Sequence, residues 1–273
     1  MMKTISIANQ KGGVGKSTTA ASVAAELATR GYETLLVDGD PQANVTSHFL
    51  APEQIGLSIA DVLIESEQRE KIPLEAAIVT TEMEHLDLLP SKLRFARFEK
   101  EPAIAINRLR SKLAPLTSTY DFVIIDTPPT LGQILTAPLL ASTHMLVPVA
   151  ASPLAQDGLD DLISTFEEVR STNPELELLG VVCTLFDGRT SVAAESFRGL
   201  KERYGAKVFD TIIHRNVKLE ESPAFHQPVQ LYAPTSRGAA LYAELTDEIL
   251  KRLGARKTKG KLKLAGEENR LNG

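Results

Sequence analysis

The sequence predicts a single α/β domain: a mostly parallel, twisted β-sheet flanked by helices on both faces. Three observations predict it. Short apolar runs alternate with helical stretches along most of the chain, the pattern that gives parallel strands joined by crossover helices. The run Phe122-Val123-Ile124-Ile125 is apolar without interruption, as a strand covered on both faces has to be. Asp38 and Asp126 each close an apolar run, which puts both carboxylates at the carboxyl edge of the sheet, where ligands of such folds bind.

The elements follow in order. Strands are expected at 3–8, 34–38, 86–89, 121–126, 144–149, 178–184 and 208–213, and helices at 16–30, 57–65, 101–114, 133–141, 157–171, 191–203 and 236–253. Lys3 to Ala8 carries β-branched residues at strand spacing. In 16–30, Ala20, Val23, Ala24, Leu27 and Ala28 share one helical stripe, and Gly31 stops the helix. After residue 253 no stripe continues, so the domain is expected to span 1–253 and the basic segment 254–273 to be flexible.

Composition narrows the function classes. The 273 residues are 43% hydrophobic with no tryptophan, so the core is aliphatic and alanine-rich. Cys183 is the only cysteine, which excludes an intramolecular disulfide, leaves too few thiols for a zinc or iron–sulfur site within one chain, and fits a reducing cytoplasm. No apolar run is long enough for a membrane span, and a strand at the very start leaves no room for a signal peptide. The net charge is −5, but eight Lys/Arg from Lys251 onward face only Glu267 and Glu268, a tail of +6 on a body of −11. Such a tail either contacts a polyanion or is simply solvated.

The densest information lies in Asn9-Gln-Lys-Gly-Gly-Val-Gly-Lys-Ser-Thr-Thr19. Between a strand and a helix, Gly12, Gly13, Val14 and Gly15 let backbone N–H groups converge on phosphate oxygens, and the helix dipole points at the same place. Lys16 adds a charge on the β and γ phosphates, the Ser17 hydroxyl suits Mg²⁺, and Thr18 continues the motif. This is a P-loop NTPase signature with two departures: Gln10 replaces the first glycine, and a second lysine, Lys11, opens the loop. Asp126, before Thr127-Pro128-Pro129, either holds Mg²⁺ through water or caps a turn. Asp38 and Asp40, two apart before Pro41, either serve the metal and the attacking water or form an Asx turn.

Lys11-Gly-Gly-Val-Gly-Lys16-Ser-Thr, Val37-Asp-Gly-Asp-Pro-Gln-Ala-Asn44 and Ile125-Asp-Thr-Pro-Pro129 together resemble the deviant Walker ATPases, and within them the ParA/Soj group of partition proteins. Ile213-His-Arg-Asn216 and Tyr232-Ala-Pro-Thr-Ser-Arg-Gly-Ala239 resemble that group's later segments, so the likeness spans about residues 2–253. The resemblance implies an ATPase using ATP and Mg²⁺ that closes into a homodimer when ATP is bound. It implies that Lys11 reaches the partner subunit's phosphates, that Asp40 positions the hydrolytic water, and that Arg215 and Asn216 lie near the adenine, while Asp38 and Asp126 are expected near the metal by their position at the strand ends. It further implies non-specific binding of double-stranded DNA, with Arg189, Arg215, Lys218 and Arg237 as candidates and Arg198, Lys201 and Arg203 nearby. The expected partner is a ParB-type centromere-binding protein, in the bacterial cytoplasm and on the nucleoid, with no membrane. Against the group's pattern, His214 replaces a proline, Gly39 replaces a larger apolar residue, and Asp187-Gly188-Arg189 is looser. With the first strand at the start, no helix-turn-helix extension is expected.

Other classes fit less well. A membrane-positioning ATPase of the MinD type needs an amphipathic end, and the tail offers only Leu262, Leu264, Ala265 and Leu271. An electron-transfer ATPase needs paired cysteines, and a tyrosine kinase of the superfamily needs tyrosines in the tail. A nucleotide-gated scaffold for a non-DNA cargo stays open, because cargo is chosen by surfaces that motifs do not describe.

Overall fold

A computed structural model of the chain describes residues 2–64, 72–152 and 158–255. The segments are β1 (Lys3–Ile7), α1 (Lys16–Thr29), β2 (Thr34–Asp38), α2 (Asn44–Ser47), α3 (Ile59–Leu63), β3 (Val79–Thr80) and β4 (Leu86–Leu89). They continue with α4 (Arg108–Leu113), β5 (Phe122–Asp126), α5 (Gln133–Ala141), β6 (His144–Ala150), α6 (Leu159–Thr172) and β7 (Glu177–Thr184). The last are α7 (Ser191–Tyr204), α8 (Val217–Glu221), α9 (Val229–Tyr232) and α10 (Arg237–Arg252). One sheet runs in the order β3-β4-β2-β5-β1-β6-β7, parallel except for the two-residue β3 at its margin.

Register brings the chemistry together. β5 lies between β1 and β2, with Ile7 and Asp38 both opposite Asp126. All three strands therefore stop at one level, and the loops that follow share a crevice at the carboxyl edge. Pro148 sits within β6 without breaking it. β1 pairs with β6 only as far as Leu146, so the missing proline N–H interrupts no bond on that side.

The core has one layer on each face of the sheet. On one face α1 packs against α10 through Ala20, Ala24, Ala28, Leu241, Tyr242 and Leu245. Its alanines let the two helices and the sheet approach closely. On the other face, α3, α4 and α5 cover β2, β4 and β5, while α5 and α6 cover β6 and β7.

Three expectations needed revision. The 208–213 strand does not form. Val208 and His214 make single parallel bridges to Val181 and Phe186, and the N–H groups of Phe209 and Ile213 donate to Val181 and Cys183 at 2.9 Å each. The segment follows β7 without joining its ladder, and Arg252 donates to the carbonyls of Leu179, Lys207 and Val208 beside it. The 101–114 helix breaks into a 3₁₀ turn, Ala103–Asn107, and the short α4, because Pro102 and Pro115 bound the stretch. The edge strand β3 and the 3₁₀ run Leu93–Lys100, which buries Phe95 and Phe98, fall between the expected elements and are additional to them. Residues 65 and 157, ends of expected helices, and most of the basic tail, 256–273, lie outside the described residues. Among the described residues no helix is long and apolar enough to cross a membrane.

His48, at the end of α2, is 4% exposed, and burial lowers its imidazole to about 4. The unfolded chain takes up this proton near pH 6.5, before the folded chain does, so His48 costs stability as pH falls from 6.5 to about 4. Asp38, which burial raises to about 6, works in the opposite direction. Comparison with His48→Gln isolates the imidazole. Between pH 7.5 and 4, urea unfolding of the wild type should lose about 3 kcal/mol relative to the variant. A constant difference across that range would refute the assignment.

Candidate active site

The loop between β1 and α1 is tied down at both ends. The Asn9 side-chain amide donates to the Pro148 carbonyl at 2.7 Å, and Asn9 Oδ1 accepts the Lys11 N–H at 2.9 Å. Thr184 Oγ1, at the end of β7, donates to the Val14 carbonyl at 2.8 Å. Gly13 and Gly15 have φ of 72° and 83°, a left-handed backbone that favours glycine. A β-carbon on Gly12, Gly13 or Gly15 would meet nothing within 4 Å among the described residues, which leave the mouth of the loop open. Lys16 Nζ donates to the Lys11 carbonyl at 3.0 Å.

Three carboxylates face this loop, and all are buried: Asp38 and Asp126 are 0% exposed and Asp40 is 4%. Ser17 Oγ donates to Asp126 Oδ2 at 2.7 Å, while Asp126 Oδ1 is buried without a hydrogen-bond partner among the described residues. Burial pushes the Asp126 carboxyl well above the ordinary range, with Asp38 adding to the shift and Ser17 and Lys16 opposing it. Burial lowers the Lys16 ammonium, and the nearby Asp126 and Asp40 partly restore it. Asp40 Oδ1 accepts the Gln42 N–H at 2.9 Å, so the Asx turn that Pro41 suggested does form, and it sits inside the site.

Gly39 now has a physical reason. Its N–H donates to the Asp126 carbonyl at 3.0 Å, and a β-carbon would stand 2.6 Å from that oxygen. The missing side chain lets the ends of β2 and β5 close together.

Beside the loop opens a cavity of about 300 Å³ lined by Gly15, Thr18, Thr184, Leu185, Ile213 and Asn216, among others. Its walls are largely apolar, with polar groups at the mouth, as a nucleobase site requires. Asn216 lines it, and its Oδ1 also caps α8 by accepting the Lys218 N–H at 2.9 Å. His214 lines it too, with its ring 5.1 Å from that of Phe186. Arg215 does not line the cavity: its N–H donates to the Phe186 carbonyl, and its side chain is exposed.

Arg189, Arg215, Lys218 and Arg237 are all exposed, and none of them lines this cavity. Arg215 helps hold Asp187 below the usual carboxylate range, after the larger effect of Arg189, which grips Asp187 through two bonds of 2.8 and 2.7 Å. Lys218 pairs with Glu221 at 2.8 Å and lies over the Tyr232 ring. Arg237 precedes Gly238, where a β-carbon would touch Leu219 and Asn216. Two of the four cations are thus already paired with acids.

Asn9, Thr46, Ser91 and Thr184 were not singled out in the sequence. Thr184 carried a readable signal, since it closes an apolar run as Asp38 and Asp126 do. Asn9, Thr46 and Ser91 act through contacts that no spacing encodes.

Comparison with known proteins agrees with this geometry. A protein family described as AAA domain matches residues 2–178. The chromosome-partitioning ATPase Soj of Thermus thermophilus is 40% identical over 253 residues, covering 92% of this chain and 97% of its own. The chain belongs to the Soj/ParA family of partitioning ATPases. The sporulation initiation inhibitor protein Soj of Bacillus subtilis is 37% identical over 254 residues, 91% of this chain and 98% of its own. Among solved structures, a cobyrinic acid a,c-diamide synthase from Mycobacterium smegmatis with bound ADP and magnesium superposes with a TM-score of 0.80 at 33% identity, covering 93% of this chain and 96% of its own. The Soj/ParA P-loop, sheet order and acidic edge therefore lie within one well-populated architecture.

Lys16→Ala removes the ammonium from this Soj/ParA loop while leaving Asn9 and Thr184 to hold the backbone. Equilibrium binding of a fluorescent ATP analogue should weaken about a hundredfold, roughly 2.7 kcal/mol. Binding within twofold of wild type would show that Lys16 does not meet the phosphates.

Proposed function

We propose that the chain is an ATPase that dimerises around ATP, binds DNA without sequence preference, and positions chromosomal or plasmid DNA. The observation that carries the reading is the convergence of Lys16, Ser17, Asp40 and Asp126 at the mouth of a P-loop that opens with a second lysine. Family membership supports the ATPase and partition roles.

The residues fit Mg²⁺. Asp126 Oδ1 is a buried oxygen without a partner among the described residues, its sister oxygen already accepts from Ser17 Oγ, and a hard cation takes oxygen ligands. Ser17 and Asp126 would hold the ion, Asp126 through water. When bound, Mg²⁺ neutralises charge on the β and γ phosphate oxygens. Gly12 to Gly15 turn their N–H groups to the phosphates, and Thr18 and Asn216 border the cavity that takes the nucleoside. Water attacks the γ-phosphorus in line, the bond to the β–γ bridging oxygen breaks, and ADP and phosphate leave. Asp40 orients that water. Lys16 stabilises charge on the leaving oxygen. Lys11 does the same for the ATP of the partner subunit, so turnover depends on assembly. The isolated enzyme turns over slowly, and a ParB-type DNA-bound partner accelerates it.

Arg189, Arg215, Lys218 and Arg237 form the DNA-facing rim. Phosphate contacts give affinity without sequence reading and make it fall steeply with salt. The protein works in the cytoplasm and gathers on the nucleoid.

Two measurements test this. Asp40→Ala should bind ATP and dimerise like wild type while hydrolysis falls at least about a hundredfold, leaving a DNA-retained dimer. Normal hydrolysis by that variant would remove Asp40 from the mechanism. In co-sedimentation with DNA, retention should require ATP and fail with ADP. Arg215→Glu should reduce retention and lower the salt slope by about one or more, with dimer formation unchanged by light scattering. Retention independent of nucleotide would point to a scaffold for another cargo.

A further inference from the structure

The carboxylates of the site are sorted by their hydrogen bonds. Among the described residues Asp126 keeps a buried oxygen without a partner, whereas both oxygens of Asp38 are hydrogen-bonded to the protein. Asp38 Oδ1 accepts the Asp40 N–H at 3.0 Å, and Asp38 Oδ2 accepts both the N–H and the hydroxyl of Thr46 at 2.7 Å. The Thr46 oxygen in turn accepts the Ser91 N–H at 2.9 Å, which leaves its hydrogen to Asp38. Ser91 follows β4, Thr46 lies in α2, and Asp38 ends β2, so three segments meet on one buried carboxylate. All three residues are at most 1% exposed.

Asp40 takes its position from this knot. Its N–H is bound to Asp38, its Oδ1 accepts Gln42 N–H, and its carbonyl accepts the Ala43 N–H at 2.9 Å. A metal ligand needs lone pairs directed at open space. Both lone pairs of Asp38 Oδ2 are spent on Thr46 and one of the two on Oδ1 on the Asp40 N–H, so three of its four acceptor sites already serve the protein.

We infer that Asp38 is a positioning residue for Asp40, clamped by Thr46 and the Ser91 backbone, and is not a ligand of the metal. This departs from the role that its position at the strand end suggests for Asp38, and it rests on the reading of the chain as an ATPase in which Asp40 orients water. The clamp fixes the carboxylate that turnover requires while leaving nucleotide and metal affinity to the P-loop, Ser17 and Asp126.

The test uses the full chain with Thr46→Val, Thr46→Ser and Asp38→Asn, alongside wild type and Asp40→Ala. Thr46→Val keeps the shape but removes the hydroxyl. Its turnover should fall at least about tenfold, with KM for ATP within about twofold of wild type. Thr46→Ser restores the hydroxyl and should return turnover to within about threefold. Half-saturating Mg²⁺ for binding a fluorescent ATP analogue, read without hydrolysis, should stay within about twofold in Thr46→Val and Asp38→Asn. A rise of about tenfold in that Mg²⁺ concentration in either variant would make Asp38 a metal ligand and overturn the inference. Wild-type turnover in Thr46→Val would overturn it too. If Thr46→Val does not fold, Asp38→Asn decides through its Mg²⁺ dependence. An inactive wild type would sink the ATPase reading itself, whereas an active wild type matched by Thr46→Val sinks only the clamp.

Discussion

The rest of the structure depends on burying three carboxylates and one ammonium at a single edge of the sheet. Asp38, Asp40, Asp126 and Lys16 are all less than one-tenth exposed, and the carboxylates outnumber the cation. Charges withdrawn from water this way are costly unless each finds a partner. Burial shows its strain directly, raising Asp38 to about 6, raising Asp126 well above the ordinary carboxylate range, and lowering Lys16. The chain relieves Asp38 with three donors of its own and Asp126 with one. What stays uncompensated lies beside the loop that favours phosphate, so nucleotide and cation suit the site only as a pair. Charge balance, more than shape, makes the edge a site for a metal–nucleotide complex.

Much of this was legible in the residues. The P-loop announces itself because backbone geometry and anion binding both demand glycine, lysine and hydroxyl at fixed spacing. Asp38 and Asp126 were found because a polar residue closing an apolar strand has to emerge at a strand end. The central strands were plain because burial on both faces leaves a continuous apolar run. Less was legible where tertiary contact overrides local pattern. Residues 208–213 read as a strand, yet their N–H groups reach β7 only at intervals and Arg252 occupies neighbouring carbonyls. The Thr46 clamp was invisible because its partners lie 8 and 45 residues away. The Arg189–Asp187 grip was hidden for a different reason: spacing names the charges but not the rotamers that join them.

The rim adds a second balance. Asp187 and Glu221 stand beside Arg189 and Lys218, so a polyanion arriving there competes with carboxylates already in place. Exposed ion pairs of this kind contribute little to stability and are readily exchanged for other partners. Cations held in exposed pairs of this kind stay available to an incoming anion without being fixed to it. Asn216 links these cations to the apolar cavity, capping the helix that carries Lys218 and bordering the space beside Gly15 and Thr18.

The margins of the sheet carry one more consequence. One ends in a strand of two residues, and the other is followed by a segment that takes up β7's outward groups at intervals, with a guanidinium filling in between. Neither margin extends a long, regular ladder to another chain, the usual route to irreversible strand-on-strand stacking. Self-association is thereby left to side-chain faces. A sheet blunted at both margins in this way resists fusing edge to edge where copies crowd together.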